Sequence, residues 1–151
     1  MSLDAEYEPS TQGWVRDQVA LYESTGGEQG NDMRGMPVII LTSVGAKSGK
    51  VRKTPLMRVE HDGRYAVVAS QGGAPKHPVW YHNLIADPHV RLQDGPAPTD
   101  MVARKLSGDE RSVWWDRAVD AYSDYADYQN KTDRLIPVFV VESLSSSPAQ
   151  P

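Results

Sequence analysis

The chain has no cysteine among its 151 residues, which excludes disulfides, thiolate zinc sites and a cysteine nucleophile. It has no apolar run near the ~18 residues that a membrane-spanning helix needs. Residues 1–20 lack a basic start followed by an apolar stretch, so we expect no secretory signal. Basic residues are outnumbered, 16 against 20 acidic ones, and this disfavours duplex nucleic-acid binding. We expect a cytoplasmic protein without an integral membrane segment.

Histidine is also scarce, with four copies, and three of them fall at His77, His82 and His89. This spacing does not place them on one face, and no carboxylate cluster accompanies them. We therefore predict no metal site.

Short runs of β-forming residues alternate with turns rich in glycine and proline, which predicts a mainly β fold with flanking helices. Residues 37–43, 51–60 and 64–70 are predicted to form an antiparallel meander, with Pro55 marking an edge or a bulge. Further strands are predicted at 89–93, 99–106 and 138–143, and helices at 11–22, 79–86 and from a Ser107 cap to 122. The spacing indicates a small closed or split barrel. We expect a flexible lead-in at 1–10, one domain at 11–143 and a disordered tail at 144–151.

A basic, glycine-containing segment spans residues 45–53 and carries Lys47, Lys50, Arg52 and Lys53 without any acid. It is not a nucleotide-triphosphatase phosphate loop, because Val51 stands where that motif requires a hydroxyl. Glycine backbone and clustered cations nevertheless suit a small anion. A solvated hairpin tip explains the same pattern equally well.

A second candidate wall spans residues 70–83. Gly72 and Gly73 allow the backbone to lie close against a flat ring, and a short helix bearing Trp80, Tyr81 and Asn83 follows. Trp80 also suits core packing, whereas Asn83 is the better candidate for a polar contact.

Three tyrosines recur at every third position, Tyr122, Tyr125 and Tyr128. Buried phenols need hydrogen-bond partners, so this stripe is polar for a simple core. It predicts an aromatic lid over a planar substrate, or hydrogen-bond donors to a developing oxyanion. A half-buried helix with its hydroxyls at the surface is the alternative.

Taken together, these segments resemble the deazaflavin-dependent nitroreductase and quinone reductase family of actinobacteria. The resemblance rests on PVIILTSVGAKSGKVRKTPL at 37–56, ASQGGAPKHPVWYHNL at 69–84, the tyrosine stripe followed by Gln129, and the Thr-Asp-Arg-x-Ile-Pro-Val segment at 132–138. One departure is Gln71, where the family has a familiar lysine. The resemblance covers about residues 36–142.

The resemblance implies a split β-barrel like that of the FMN-binding flavin reductases, and coenzyme F-420, a flat deazaflavin with a phosphate and an oligoglutamate tail. It implies hydride transfer to a quinone-like or nitroaromatic acceptor, with Ser70 and the tyrosines facing that acceptor. The candidate catalytic residues are Ser70, Tyr122, Tyr125 and Tyr128. The candidate cofactor-binding residues are Thr42, Lys47, Ser48, Gly49, Lys50, Arg52, Pro55, Ala69, Ser70, Gln71, Gly72, Gly73, Trp80, Tyr81 and Asn83.

Alternatives stay open at this point. FMN in a similar barrel would use a single phosphate and no glutamate tail, and a non-catalytic deazaflavin carrier would need no acceptor site. Single-strand nucleic-acid binding would use the basic segment with Trp80 and Tyr81, but the net charge of −4 disfavours it. Peripheral contact at the inner membrane face and homodimer formation are also left open.

Overall fold

The computed structural model describes residues 3–144, in which four helices surround one antiparallel sheet. All of the tail predicted at 144–151 except Leu144 lies outside the described residues. The helices are α1 (Gly13–Ser24), α2 (Val79–Ala86), α3 (Gly108–Ala121) and α4 (Asp124–Asn130), and a 3₁₀ turn spans Gln71–Gly73. The strands are β1 (Asp32–Met33), β2 (Met36–Val44), β3 (Val51–Met57), β4 (Glu60–His61), β5 (Arg64–Val68), β6 (His89–Gln93), β7 (Pro98–Lys105) and β8 (Val138–Ser143).

The sheet runs in the order β1-β2-β6-β7-β8-β5-β4, and β3 pairs with β2. Just beyond β3, the Val59 carbonyl accepts a hydrogen bond of 2.9 Å from the Ala66 N–H in β5. This bond brings the two ends of the sheet together, so the sheet curls into an open barrel. The predicted mainly β, split-barrel class is confirmed.

The predicted meander is wrong, because β5 pairs with β8 and not with β3. β3 forms a ladder with β2 alone, in which Pro55 lies opposite Ile40. Proline offers no N–H for a further ladder, and this agrees with its place on an edge strand. β3 therefore ends at Met57, and β5 takes the last strand of the chain as its neighbour.

Central strands are buried on both faces. In β8, Phe139 and Val141 pack on the side that contains Trp80 and Leu84 of α2. The alternate residues Val138 and Val140 pack with Trp114 of α3, following the period-2 geometry of a strand. A third cluster packs Val15, Val19 and Tyr22 of α1 on Val38 and Ile40 of β2. Since α1 and α2 flank β3, they leave a gap between them that becomes the candidate site.

The predicted helix starts are confirmed for α2 at Val79 and for α3 after its Ser107 N-cap, whereas α1 begins at Gly13 and not at Thr11. Near the start of α1, Ser10 accepts a hydrogen bond of 3.1 Å from the Gln12 N–H. Ser107 makes no side-chain cap bond. Glu110, three residues later, bonds Arg104 at 2.8 and 3.0 Å, and this contact lowers the pKa of Glu110.

The lead-in, expected to be flexible, lies along the start of β3. The Glu8 N–H donates to the Val51 carbonyl at 2.9 Å, and the Val51 N–H donates to the Glu6 carbonyl at 2.8 Å. These two bonds fix residues 6–8 beside the basic segment, where their carboxylates affect the candidate site.

Candidate functional site

A cavity of about 530 Å³ lies among α1, β3, the 3₁₀ turn, α2 and the tyrosine segment. A second cavity of about 270 Å³ adjoins it, and Arg52, Lys53 and Asn83 are among the residues that line it. We call the two together the groove, with a phenolic end at the tyrosines and a cationic end at Arg52 and Lys53. Its first part gathers many of the residues chosen from sequence: Pro55, Ser70, Gln71, Gly72, Trp80, Tyr122, Tyr125 and Tyr128.

The basic segment forms the tight connection between β2 and β3. The Gly45 N–H donates to the Lys50 carbonyl at 2.8 Å, and the Ser48 hydroxyl accepts from the Lys50 N–H at 3.1 Å. Gly49 has a φ of 73°, a conformation that favours glycine. Ser48 and Gly49 therefore shape the turn that presents Lys47 and Lys50, both exposed.

Asn83 ties this connection to α2. Its side chain is buried, and its Oδ1 accepts a hydrogen bond of 2.9 Å from the Ala46 N–H. The predicted polar contact of Asn83 is thus made within the protein, while the residue also lines the groove. It positions the basic segment relative to Trp80 on the same helix.

Acids from elsewhere in the chain meet the basic segment. Lys50 lies 3.8 Å from Glu6, Arg52 lies 3.1 Å from Glu8, and Lys53 lies 2.6 Å from Glu23. The sequence segment contains no acid, but the fold supplies three carboxylates from the lead-in and α1. Because these side chains are partly exposed, such pairs are worth about 0–1 kcal/mol each and a stronger anion can displace them.

Thr42 lies outside the groove. It is buried on β2 and faces a different cavity of about 320 Å³, together with Tyr7, Glu23 and Arg91. Lys53, which pairs with Thr42 in the β2–β3 ladder, lines this cavity and also the smaller part of the groove. A direct contact between Thr42 and a ligand in the groove is therefore not supported by its position.

The turn after β5 has an unusual backbone. Gln71, Gly72 and Gly73 have φ angles of 45°, 65° and 82°. A Cβ added to Gly73 would lie 2.7 Å from the Tyr128 carbonyl oxygen, whereas one added to Gly72 would meet nothing within 4 Å. Gly73 thus allows close packing on α4, and Gly72 leaves open space on the wall of the groove.

Arg134 holds this turn from behind. Its guanidinium donates to the carbonyls of Ala69, Ser70 and Ala74 at 3.0, 2.7 and 2.8 Å. It also lies 2.9 Å from His77 Nδ1, and burial lowers the pKa of both side chains. The Ser70 carbonyl also accepts a hydrogen bond of 2.9 Å from the Gly73 N–H, and Arg134 adds bonds to three carbonyls around the unusual turn, which stabilises it.

Three candidate residues in or next to the second wall, Trp80, Tyr81 and Ala69, lie in three different environments. Trp80 is buried in the core, as core packing predicts, and it also lines both parts of the groove, where its contact with a ligand stays a prediction. Tyr81 points elsewhere, stacking on His77 at 4.2 Å and accepting a hydrogen bond of 3.1 Å from Lys105. Ala69 is fully buried in the core. Neither Tyr81 nor Ala69 lines the groove.

The three tyrosines converge although they do not share one helix. Tyr122 terminates α3, while Tyr125 and Tyr128 lie on α4. The hydroxyls of Tyr122 and Tyr128 are 2.9 Å apart, and Tyr125 packs edge-on against both rings. Burial raises the pKa of Tyr122 and of Tyr125, so these phenols stay protonated at neutral pH and can donate hydrogen bonds.

Arg34 joins the phenolic end from the turn between β1 and β2. Its Nη1 lies 3.1 Å from the Tyr122 hydroxyl, 3.4 Å from the Tyr128 hydroxyl and 3.5 Å from Asp124 Oδ2. The phenolic end therefore carries a cation that the tyrosine pattern alone does not indicate.

Comparison with known proteins agrees with this geometry. The family model described as F420H(2)-dependent quinone reductase matches residues 14–143. The chain belongs to this family. An F420H(2)-dependent quinone reductase of Mycobacterium tuberculosis is 35% identical over 126 residues, which cover 81% of this chain and 85% of the relative.

Solved structures extend the comparison. An F420-H2 dependent reductase is 60% identical, with a TM-score of 0.67, over 70% of this chain and 94% of that one. A chain described as a domain-swapped dimer is 53% identical, with a TM-score of 0.70, over 88% of this chain and all of that one. A heme-binding protein from Mycobacterium smegmatis, 18% identical with a TM-score of 0.54, shares the fold.

Membership of the F420H(2)-dependent quinone reductase family confirms the expectation of an oxidoreductase that uses coenzyme F-420. Within residues 3–144, no group of three or more His, Asp or Glu side chains could hold a metal ion. Over the same range, no helix has the length and apolar character needed to cross a membrane.

Sequence reasoning overlooked two arginines in this family member. Arg134 appeared only within the motif at 132–138, and its contact with three backbone carbonyls is a tertiary one. Arg34 has a local signal, because Arg-Gly joins two strands in a two-residue hairpin. Arginine is not a favoured residue at the first position of such a turn, and this indicates that its side chain makes a specific contact.

Proposed function

We propose that this protein reduces a quinone-type acceptor at the phenolic end of the groove, using coenzyme F-420 held along its length. The observation that carries this proposal is the continuity of the groove, since Gln12, Val15, Thr54, Val79 and Trp80 line both of its parts. One ligand can therefore contact cations at one end and reach phenols at the other.

The residues present fit this coenzyme. Lys47, Lys50 and Arg52 suit a tail with several negative charges, and the acids that pair with Lys50 and Arg52 are exchangeable surface carboxylates. Pro55 and Gly72 leave a smooth wall with open space above Gly72, which suits a flat ring. When bound in reduced form, coenzyme F-420 supplies a hydride.

The protein's own residues then have three tasks. Trp80 and the turn at Ser70–Gly72 limit water at the ring-binding wall. The hydroxyls of Tyr122 and Tyr128 orient an acceptor oxygen and donate a hydrogen bond as negative charge develops there. A quinone that gains a hydride also needs one proton to become a quinol, and a phenol can supply it and recover it from water.

Assembly and location are parts of the same proposal. A similar chain is described as a domain-swapped dimer, which supports a homodimer here. The absence of cysteine suits the reducing cytoplasm. Peripheral membrane contact remains a prediction that sedimentation with anionic vesicles would test.

The decisive experiment is a fluorescence titration of the purified protein with coenzyme F-420 beside FMN at matched ionic strength, followed by an acceptor screen. We expect salt-sensitive binding of the deazaflavin, weaker binding of FMN, and reduction of menadione. Preferential reduction of a nitroaromatic compound would replace the acceptor class, and binding of FMN alone would refute the proposed cofactor site.

A further inference from the structure

Arg34 occupies a backbone conformation that arginine does not favour. It is the first residue of the two-residue turn between β1 and β2, where Met33 pairs with Met36. Arg34 and Gly35 have φ angles of 53° and 77°, a combination for which asparagine followed by glycine is preferred. An unfavoured residue in such a turn directs attention to its side chain.

That side chain reaches across the groove to the other wall. Nη1 of Arg34 donates to the hydroxyl oxygens of Tyr122 and Tyr128, residues 88 and 94 positions away in the sequence. The Arg34 side chain remains 69% exposed, so its cation also faces solvent. Arg34 lines the same cavity as both phenols.

The donors and acceptors in this contact determine where the two phenolic protons can be donated. Arginine only donates, so both phenolic oxygens act as acceptors toward Arg34. The two phenols also bond each other at 2.9 Å, which uses one of their two protons. The remaining proton can be donated to the Asp124 carboxylate, to solvent or to a group bound in the groove.

Asp124 therefore competes with a bound acceptor for the phenolic proton. Its carboxylate lies 3.5 Å from Arg34 and, through a hydrogen bond, helps to raise the pKa of Tyr122. Lys131, whose Nζ lies 5.5 Å from the centroid of the Tyr128 ring, is the other charged group facing the pair. Arg34 is placed to balance the carboxylate charge where an acceptor oxygen would become negative.

We infer that Arg34 is a positioning residue for acceptor reduction: it orients the Tyr122–Tyr128 hydroxyl pair and offsets Asp124, so that the free phenolic proton is directed to the acceptor oxygen. This inference rests on the proposed reduction of a quinone. In that step the quinone gains a hydride from the reduced cofactor and a proton from a phenol, and water returns the proton. Arg34 keeps its charge throughout.

The test uses Arg34→Asn, which introduces the residue favoured in this turn while removing the cation, and Arg34→Lys, which retains the charge. Arg117→Asn, which removes a cation stacked on Trp114 away from the groove, is the charge-matched control. The first readout is the ¹³Cζ NMR signal of labelled tyrosine in the protein without cofactor, assigned with Tyr→Phe variants. We expect the Tyr122 and Tyr128 signals to move in Arg34→Asn but not in the control.

The second readout is turnover of menadione at saturating reduced coenzyme F-420. We expect Arg34→Asn to lower kcat about tenfold or more while the Kd for the cofactor stays within about twofold, the pattern of an interaction made in the transition state. Arg34→Lys should recover part of the loss. Adding Asp124→Asn to Arg34→Asn should also recover part of it, because the competing carboxylate is removed.

Unmoved tyrosine signals, or moved signals with an unchanged kcat, would overturn the role of Arg34. A wild-type protein that binds coenzyme F-420 but does not reduce menadione would instead refute the proposed acceptor and this inference with it. Equal losses in Arg34→Asn and Arg34→Lys, with no recovery from Asp124→Asn, would reject charge balance as the cause.

Discussion

At the cationic end of the groove, charged side chains are partly exposed and paired with acids, whereas at the phenolic end protonated hydroxyls are fixed by packing and by one another. Lys53 and Arg52 meet carboxylates of α1 and the lead-in. Tyr122 and Tyr128 meet each other and a guanidinium. An anionic ligand can replace the acids at the cationic end, whereas packing and hydrogen bonds fix the geometry of the phenolic end. Affinity and reactivity are therefore expected to separate along the groove.

The largest effect is expected at the glycine turn that packs on α4 beside the phenolic end. Gly73→Ala would place a Cβ 2.7 Å from the Tyr128 carbonyl oxygen at a positive φ, and should cost about 2–4 kcal/mol of unfolding free energy. Chemical denaturation measures this loss, which should be accompanied by lost turnover.

The neighbouring Gly72→Ala is the matched control for that prediction. Its Cβ meets nothing within 4 Å, so its stability cost should stay near 1 kcal/mol, the conformational cost alone. Because Gly72 lines the groove, this variant should nevertheless weaken cofactor binding. Equal destabilisation by both substitutions would mean that Gly73 is not packed on α4 as described.

The next effect separates reactivity from affinity at the phenolic end. Tyr128→Phe removes one member of the hydroxyl pair and should lower kcat by about tenfold or more, with little change in cofactor Kd. Steady-state kinetics and a cofactor titration measure the two quantities. A higher Kd with an unchanged rate per bound cofactor would make Tyr128 a cofactor-binding residue instead.

The reverse separation is expected at the cationic end. Replacing Lys47 and Arg52 by alanine should raise the cofactor Kd by about tenfold, since two charge-assisted contacts to an anionic tail are lost, and the salt dependence of binding should weaken. The rate at saturating cofactor should be nearly unchanged. An unaltered Kd would refute the role of this end in binding the tail.

The smallest effect tests the acids that cover the cationic end. Glu6→Gln with Glu8→Gln removes carboxylates that pair with Lys50 and Arg52, and should tighten cofactor binding by about two- to fivefold, within the range of exposed ion pairs. Glu28→Gln with Asp116→Asn, which removes two exposed acids elsewhere, controls for net charge. Weaker binding in the double variant would mean that the lead-in organises the site instead of competing for it.

Local signals predicted the elements that carry the groove. The buried run of β2, the helix of α2 and the short strand β6 were placed within a residue or two, because apolar periodicity and flanking glycine or proline define them. The glycine turn and the tyrosine stripe were predicted as walls of one site, and residues of both line the larger cavity. The comparisons confirm the cofactor and the split barrel.

Contacts between distant segments were beyond such reasoning. The pairing of β5 with β8 joins Val67 to Phe139, and no local pattern specifies that choice. The acids that pair with the basic segment come from the lead-in and α1. The composition of the basic segment alone therefore suggested more unpaired positive charge than the folded protein has. Thr42, Ala69 and Tyr81 belong to segments that resemble the family, but none of them lines the groove. The direction of each side chain in the folded protein decides this, and the sequence does not give that direction.

Arg134 has a consequence for the spacing of the two walls. One guanidinium anchors the carbonyls around Ser70, and the Arg134 carbonyl is itself bonded by Gln129 of α4 at 2.8 Å. The turn at Gln71–Gly73 and the helix that carries Tyr125 and Tyr128 are thus joined through Arg134. In the proposed complex, these hydrogen bonds would set the spacing between ring and acceptor before either molecule binds.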